Sequence, residues 1–403
     1  MKKSNVVFLS VFLVIISVIG TFFASNFIEL YIGDKVIISR ESMESYKELY
    51  SEYAEVDQLK QYIETNYYKD VEDSLMYEGM KKGMFSVLED PYSIYMNSEE
   101  FSSYMESSSG EYPGIGIYVS PNESNEIEIV SPIEDTPADR AGLLAKDVIV
   151  AVNGEPFSAE LMDEAISRIK GDPGTPVTIT IYRPSKKEKF DVEIVREWID
   201  VKVVKSRMID DEIAYIRITM FDQNVAEEFK KQMESLISKG AKKVVIDLRQ
   251  NPGGYLDQCV KIADSLLGEG MIVYTDSRNG DHETFESDAN RYDVSLAVLV
   301  DEGSASASEI LTGALKDHDA ATIIGVTTFG KGVVQVVRPY NEDTGFKLTT
   351  SEYFTPNGVN IHGIGIEPNV VEPLDEAYYE LESPTDADDN QLQKALEILR
   401  SEP

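Results

Sequence analysis

Strand-like apolar runs alternate with helical segments throughout the second half of the chain. The runs EIAYIRITMF (212–221), KKVVIDL (242–248) and SLAVLV (295–300) are each followed by a turn and then by a helix-like pattern. After the first run, apolar residues recur every three to four positions from Val225 to Ile237, which is the spacing of an amphipathic helix. Strands that alternate with helices form sheets covered by helices. We therefore expect a mixed α/β core over residues 199–374.

The N-terminus carries an apolar run long enough to cross a membrane. Lys2 and Lys3 precede a stretch from Val6 to Ala24 that is broken only by small or hydroxyl residues, and about 20 apolar residues span a bilayer. The lysines favour a cytoplasmic N-terminus, and the run is long for the core of a cleaved signal peptide. Residues 1–26 are therefore predicted to be an uncleaved anchor, while Ala24-Ser25 leaves cleavage open.

Composition argues against several classes of function. Hydrophobic residues make up 42% of the 403 residues, which is enough for a sizeable core. The net charge of −35 argues against nucleic acid as a partner, because phosphate binding needs clustered cations. The single cysteine, Cys259, excludes an intramolecular disulfide and is expected to be a small core residue. Only three histidines occur, without an HExxH motif or a Cys/His cluster, so we expect no metal and no other cofactor.

A helical region and a compact module lie between the anchor and the α/β core. Residues 27–108 are predicted to be largely helical, because Leu59, Ile63 and Tyr67 have helical spacing and the pattern breaks only at Pro91. The stretch SSSGEYPG (107–114) is predicted to be a linker.

Residues 109–198 have the element order of a bacterial PDZ domain, which is a peptide-binding module. The resemblance rests on GIGI, SPIEDTPADRAGL, KDVIVAVNG and KGDPGTPV in this order, and Asn153-Gly154 predicts a tight turn. In such a domain, main-chain N–H groups of one loop bind a peptide C-terminus while the peptide adds as a strand. The resemblance assigns this loop to Gly114, Ile115, Gly116 and Ile117. An ordinary strand start is the alternative for these residues.

The stretch DEGSASASEILTGALKDHD (301–319) places three serines at the start of a helix. A helix N-terminus offers free N–H groups and a partial positive charge, which can stabilise an oxyanion. Ser306 and Glu309 also match a capping box, so a purely structural role for Ser306 stays open on this stretch alone. His318 lies ~18 Å further along the helix axis, so it is a poor base for Ser306, whereas the distant His362 remains a candidate.

The apolar run AATIIGVTTFGKGVVQVV (320–337) is predicted to be a further strand of the core. Within it, the stretch TTFGKGVVQ (327–335) places Lys331 between two glycines. A lysine can act as a base only when it is neutral, which requires burial to lower its pKa. A solvent-exposed hairpin lysine is the alternative. The P-loop spacing that would indicate a nucleotide site is not matched.

Together these segments resemble the C-terminal processing proteases, also called tail-specific proteases, from about Leu59 to the C-terminus. The motifs GSASASEI, FGKG and DLRQNPGGYL are specific in this combination. The resemblance implies that Ser306 is the nucleophile, that Lys331 is the general base and that Gln335 orients the lysine. Because four residues of strand span ~13 Å, contact between Gln335 and Lys331 would need a bend or bulge at Gly332.

The same resemblance implies the rest of the active site and the architecture. It assigns the oxyanion hole to the main chain of Gly254 and Ala307. It implies an α+β multidomain chain with a spiral, crotonase-like α/β protease core and a C-terminal helical region at 375–403.

The function implied is that of a single-pass serine endopeptidase of the bacterial cytoplasmic membrane, with its catalytic domain on the extracytoplasmic side. The PDZ domain would select protein or peptide substrates with apolar C-termini, and the terminal helices are compatible with a homodimer. Three alternatives stay open: a PDZ scaffold with an inactive core, a Ser-His hydrolase, and a core that binds acyl-CoA-like ligands.

Overall fold

The computed structural model describes residues 3–27, 30–32, 35–37, 40–122, 124–133, 135–381 and 384–402. The chain divides into two compact units, Met1–Met84 and Phe85–Pro403, and each is described by itself.

The N-terminal unit consists of helices and a short antiparallel strand pair. Its elements are α1 (Lys3–Phe27), β1 (Leu30–Ile32), β2 (Lys35–Ile37), α2 (Arg40–Asn66) and most of α3 (Asp73–Ser86). By length and composition, Ser4–Phe22 could cross a membrane, with a mean hydropathy of 2.5; membrane anchors and signal sequences share this property.

The helical pattern expected up to Pro91 is interrupted twice, because α2 ends at Asn66 and α3 at Ser86. Tyr67 lies just past the end of α2, and its ring contacts that of Tyr68 at 4.9 Å between centroids.

The second unit begins with a strand, a helix and another strand: β3 (Ile94–Met96), α4 (Ser98–Ser109) and β4 (Glu111–Gly114). The prediction of a linker at 107–114 is wrong. Gly110 ends α4 in the left-handed conformation, with φ 74°, and β4 then pairs antiparallel with Glu197–Asp200. Serine and glycine signal a turn locally, but they carry no information about a partner strand that lies more than 80 residues away.

The PDZ-like module is an antiparallel sheet with strand order β10-β9-β7-β6-β5, and β8 pairs with β7. Its elements are β5 (Ile117–Pro121), β6 (Ile127–Pro132), α5 (Pro137–Arg140), β7 (Val148–Val152), β8 (Glu155–Pro156), a 3₁₀ turn (Ala159–Leu161), α6 (Met162–Ile169), β9 (Pro176–Arg183), β10 (Glu188–Val195) and β11 (Glu197–Asp200). Alternate residues of its strands, including Ile129, Ile149 and Ile179, are fully buried. The tight turn predicted at Asn153-Gly154 is confirmed, since Val152 pairs with Glu155 across it.

The α/β core contains two sheets. Its elements are β12 (Val204–Met208), β13 (Ile213–Ile218), α7 (Val225–Ser238), β14 (Lys243–Asp247), α8 (Leu256–Leu266), β15 (Gly270–Ser277), β16 (His282–Ser287), β17 (Ser295–Val300), α9 (Ala307–Asp317), β18 (Ala321–Gly325), β19 (Val333–Pro339), β20 (Gly345–Phe354), β21 (Val370–Val371), α10 (Glu376–Glu380) and α11 (Asn390–Ser401). The first sheet has the order β12-β13-β14-β17-β18-β21 and is parallel from β13 onward. The second has the order β16-β15-β20-β19, with β3 paired to β20.

The apolar segment from residue 321 to residue 337 forms two strands in different sheets, not the one strand that its composition suggests. β18 pairs with β17 in the first sheet, whereas β19 pairs with β20 in the second. Where the chain passes from the first sheet to the second, the Thr328 hydroxyl and the Gly330 N–H donate hydrogen bonds to the buried carboxylate of Glu309. This crossing carries Lys331.

A buried ionic network attaches the C-terminal helix α11 to the first sheet. Arg249 lies 2.7 Å from Asp247 and 2.8 Å from Asp389, the residue that caps α11. Burial alone would raise the pKa of Asp247, but hydrogen bonds from Arg249 outweigh burial and hold that pKa below its ordinary value. The network therefore stabilises the fold only while the cation is present.

Replacing Arg249 with methionine should destabilise the core strongly. The variant leaves two buried carboxylates without their cation, which typically costs ~3–5 kcal/mol. Arg207→Met, which breaks the exposed pair with Asp386, should cost ~1 kcal/mol or less. Urea unfolding followed by circular dichroism measures both, and equal midpoints for the two variants would contradict the assignment.

Candidate active site

Ser306 lies at the point where the loop after β17 turns into α9. Its backbone has φ 55° and ψ −114°, an unfavourable conformation for a non-glycine residue that is typically found at functional sites. Ser306 is partly exposed, whereas its neighbours Ala305 and Ala307 are buried. The small neighbours leave the serine accessible at the positive end of a helix.

The flanking serines have structural partners. Ser304 donates its hydroxyl to the Leu248 carbonyl at 2.8 Å, and Ser308 donates to the Asn251 carbonyl at 2.9 Å. Both side chains are fully buried. Of the three serines, only Ser306 can therefore meet a substrate.

Lys331 lies in the loop between β18 and β19 with its side chain about half-buried. Burial, assisted by the nearby cation Lys347, lowers the pKa of Lys331 to about 8, against the opposing effect of Asp90 and Glu309. The ring of Tyr92 lies 4.8 Å from its Nζ. A lysine in this environment is neutral often enough near neutral pH to accept a proton.

The buried carboxylate of Glu309 connects the serine to the lysine loop. One oxygen accepts the N–H groups of Ser306 at 2.8 Å and of Lys331 at 2.9 Å. The other accepts the Thr328 hydroxyl at 2.6 Å and the Gly330 N–H at 2.7 Å. The sequence indicates only a capping residue here, because the partners 19 to 22 residues away have no local signature.

The turn that contains Gly254 packs directly against the start of α9. Gly253 has φ 97°, and a Cβ there would lie 2.6 Å from the Ala305 carbonyl oxygen and 2.9 Å from the Ala307 nitrogen. In the described part of the chain, the N–H groups of Gly254 and Ala307 donate to no acceptor. Two free donors beside a serine can stabilise a negatively charged oxygen.

Gln335 makes its described hydrogen bonds away from the lysine. Its amide donates to the Thr349 hydroxyl at 3.2 Å and to the Val333 carbonyl at 3.4 Å. The strand does contain a bulge, but between Val334 and Gln335 and not at Gly332. A role for Gln335 in orienting Lys331 remains a prediction.

The two histidines considered as bases make their described contacts with residues other than Ser306. His318 bonds to the Met271 carbonyl at 2.7 Å at the far end of α9. His362 is exposed, and its ring lies 6.4 Å from that of Tyr92. Among the described residues, neither histidine hydrogen-bonds to Ser306. No group of three or more His, Cys, Asp and Glu side chains in that part of the chain could hold a metal ion.

The loop from Gly114 to Ile117 forms one side of a groove of about 250 Å³ in the PDZ-like module. Helix α6 forms the other side, through Ile166 and Ile169. Ile115 is almost fully buried in the module's core, while Ile117 is partly exposed. Apolar side chains form most of its lining, as is typical of binding grooves.

Three protein families have models that match consecutive parts of this chain. The model of peptidase family S41 matches residues 212–372, that of the PDZ domain residues 113–194, and that of the "activating protease CtpB N-terminal domain" residues 14–100. A solved structure from Bacteroides fragilis, described as an S41 protease, covers 83% of this chain and 92% of its own at a TM-score of 0.55; its 15% identity shows likeness of fold alone.

Two bacterial relatives are similar over most of the chain. The "Carboxy-terminal-processing protease" of Bartonella bacilliformis is 38% identical over 380 residues, which cover 91% of this chain and 84% of that protein. The "Probable CtpA-like serine protease" of Staphylococcus aureus (strain COL) is 37% identical over 78% of this chain, which spans only 64% of that longer relative. The extent of this similarity shows that the chain belongs to the carboxy-terminal-processing serine peptidases of family S41.

Proposed function

We propose that this chain is a membrane-anchored endopeptidase that cleaves protein substrates with a Ser306/Lys331 dyad. The observation that carries the proposal is the shared carboxylate of Glu309, because one oxygen bonds the main-chain N–H of both residues. This arrangement keeps the proposed nucleophile and base on adjoining loops. The lowered pKa of Lys331 supports its role as the base.

The proposed reaction has two stages. Neutral Lys331 takes the hydroxyl proton as Ser306 Oγ attacks the peptide carbonyl, and the N–H groups of Gly254 and Ala307 stabilise the oxyanion. The tetrahedral intermediate breaks its C–N bond, and the Lys331 ammonium returns the proton to the departing amine. In the second stage, Lys331 takes a proton from water as the water oxygen attacks the acyl carbonyl. The ester C–O bond then breaks, and the Lys331 ammonium returns the proton to Ser306 Oγ, which releases the acid product. Every proton is accounted for by the lysine and water.

The other parts of the chain are proposed to bring substrate to this dyad. The apolar helix α1 would anchor the enzyme with its catalytic domain outside the cytoplasmic membrane, which its hydropathy supports. The PDZ domain would select substrates by apolar C-termini, which the lining of its groove supports. Gln335 is proposed to orient Lys331 when substrate is bound, and the two-sheet core to follow the crotonase-like spiral.

Replacing Lys331 with methionine should abolish peptidase activity. Methionine retains most of the side-chain length but has no base, so we expect kcat/KM to fall ~10²–10⁴-fold or more. Ser306→Ala should be equally inactive. Lys230→Met, at an exposed position of α7, is the control and should match the parental enzyme. Hydrolysis of a fluorogenic peptide is the assay, and a Lys331→Met rate close to the parental one would exclude the dyad.

The pH dependence should report the lysine. Because the base must be neutral, kcat/KM should rise with pH through a midpoint at about 8. Lys347 lowers the pKa of Lys331, so Lys347→Met should move the midpoint to higher pH. A histidine base would instead give a midpoint near ~6.5. A midpoint at that lower value, lost in His362→Ala, would favour the Ser-His alternative.

Glu309→Gln should impair the dyad without removing either member. The amide group of glutamine donates where one carboxylate oxygen accepted, so one pair of buried hydrogen bonds is lost, and charged bonds of this kind are worth ~1.5–3 kcal/mol each. We expect kcat/KM to fall ~10–100-fold. The negative charge of Glu309 raises the pKa of Lys331, so the pH midpoint of the residual activity should also fall.

Glu302→Gln provides the matched control, since Glu302 is exposed in the same loop and should behave as parental. A Glu309→Gln enzyme with parental kcat/KM and an unchanged pH midpoint would show that the carboxylate does not position the dyad.

A further inference from the structure

Helix α4 reaches over one end of the PDZ groove. The lining includes Ser103 and Glu106 from α4 in addition to the loop and α6. These two residues lie outside the matched PDZ region, 113–194. The groove is therefore not built by the PDZ domain alone, because an element that precedes the domain contributes a polar end.

Lys170 and Glu106 form an ion pair at this end of the groove. Lys170 is the residue that ends α6, and its Nζ lies 2.5 Å from Glu106 Oε2 and 5.6 Å from the centre of the Tyr112 ring. The two charged side chains are 34% and 27% exposed. Both side chains are thus mostly buried, but their exposed parts can be reached by a ligand in the groove.

Residues with free main-chain donors also line this groove. In the described part of the chain, the N–H groups of Ile115 and Gly116 donate to no acceptor. Lys170 and these residues line one groove. A cation beside unused N–H groups is the chemistry that receives a carboxylate.

We propose that Lys170 receives the C-terminal carboxylate of a substrate, and that Glu106 competes with that carboxylate for Lys170 in the empty groove. The inference rests on the proposed selection of substrates by their C-termini and adds the residues that set it. The substrate is a peptide with a free α-carboxylate and an apolar last side chain, which would contact Ile166 and Ile169. Binding such a peptide requires that Glu106 give up Lys170.

Glu106 is placed for this competition by a well-anchored helix. The capping box of Asn97 and Glu100 fixes the start of α4, and the ring of Phe101 packs against Gly345 of β20, leaving no room for a side chain there. Gly110 ends α4 directly before β4. Binding of the substrate carboxylate therefore requires the Glu106 side chain to move away from Lys170, whereas the backbone of α4 can stay in place.

Peptide binding by the full-length chain in detergent, with Ser306→Ala to prevent cleavage, tests the proposal. The probe is a fluorescent peptide with an apolar last residue, in free-carboxylate and C-terminally amidated forms. Glu106→Gln should bind the free form about 2- to 5-fold more tightly, the range expected for an exposed ion pair, and the amidated form as before. Lys170→Met should bind the free form more weakly than the parent, so its preference for the free form over the amidated form should be smaller. Lys189→Met is the control, because β10 is the sheet edge opposite β5, and should match the parent.

The outcomes separate the competition from the function on which it rests. If neither parent nor Glu106→Gln prefers the free carboxylate, the proposed selection of C-termini is wrong. If the parent prefers it but Glu106→Gln binds with parental affinity, competition by Glu106 is wrong while selection stands. If Lys170→Met or Lys170→Gln prefers the free-carboxylate peptide as strongly as the parent does, Lys170 does not receive the carboxylate. Unchanged affinity of Glu106→Gln for the amidated peptide shows that the groove is intact.

Discussion

The geometry of the candidate active site depends on one buried carboxylate, that of Glu309. Its side chain is fully buried and accepts hydrogen bonds from Ser306, Thr328, Gly330 and Lys331. These donors belong to two loops, one that leaves the parallel sheet before α9 and one that crosses to the second sheet. A buried anion is stable only when it is well paired, so the carboxylate and the two loops require one another. The distance between serine and lysine is thereby a property of the core.

One continuous segment touches both the active site and the peptide groove. Tyr92 lies against Lys331, β3 pairs with β20 of the second sheet, and α4 carries Glu106 to Lys170. Gly110, at the end of α4, packs against the buried side chain of Asp222. The neighbouring Phe221 donates its N–H to the Gly253 carbonyl at 2.9 Å, in the turn that packs against the start of α9. Residues 92–110 thus contact both the α/β core and the groove of the PDZ-like module, and they are not a spacer between domains.

Local patterns predicted the elements but not all of their partners. Alternating apolar residues and the Asn153-Gly154 turn indicated the PDZ-like sheet, because these signals act within a few residues. The segment expected to be a linker at 107–114 contains β4, because it pairs with the distant strand β11. The single strand expected from 320 is two strands, and the chain between them is held by a hydrogen bond from Gly330 to Glu309. Gln335 is a further case in which local sequence was not enough, because the strand has an irregular register between Val334 and Gln335 that the sequence did not indicate.

By itself, the sequence determined the α/β class, the apolar N-terminal helix and the module order, and it singled out Ser306 and Lys331 as candidates through motifs whose residue types and spacing are local. Tertiary structure alone decided which serine is accessible, how far burial lowers the pKa of Lys331, and that Glu309 joins the two loops. It also decided that Glu106 meets Lys170 across 64 residues. Burial and long-range hydrogen bonds depend on which distant segments pack together, and no short stretch of sequence encodes that packing.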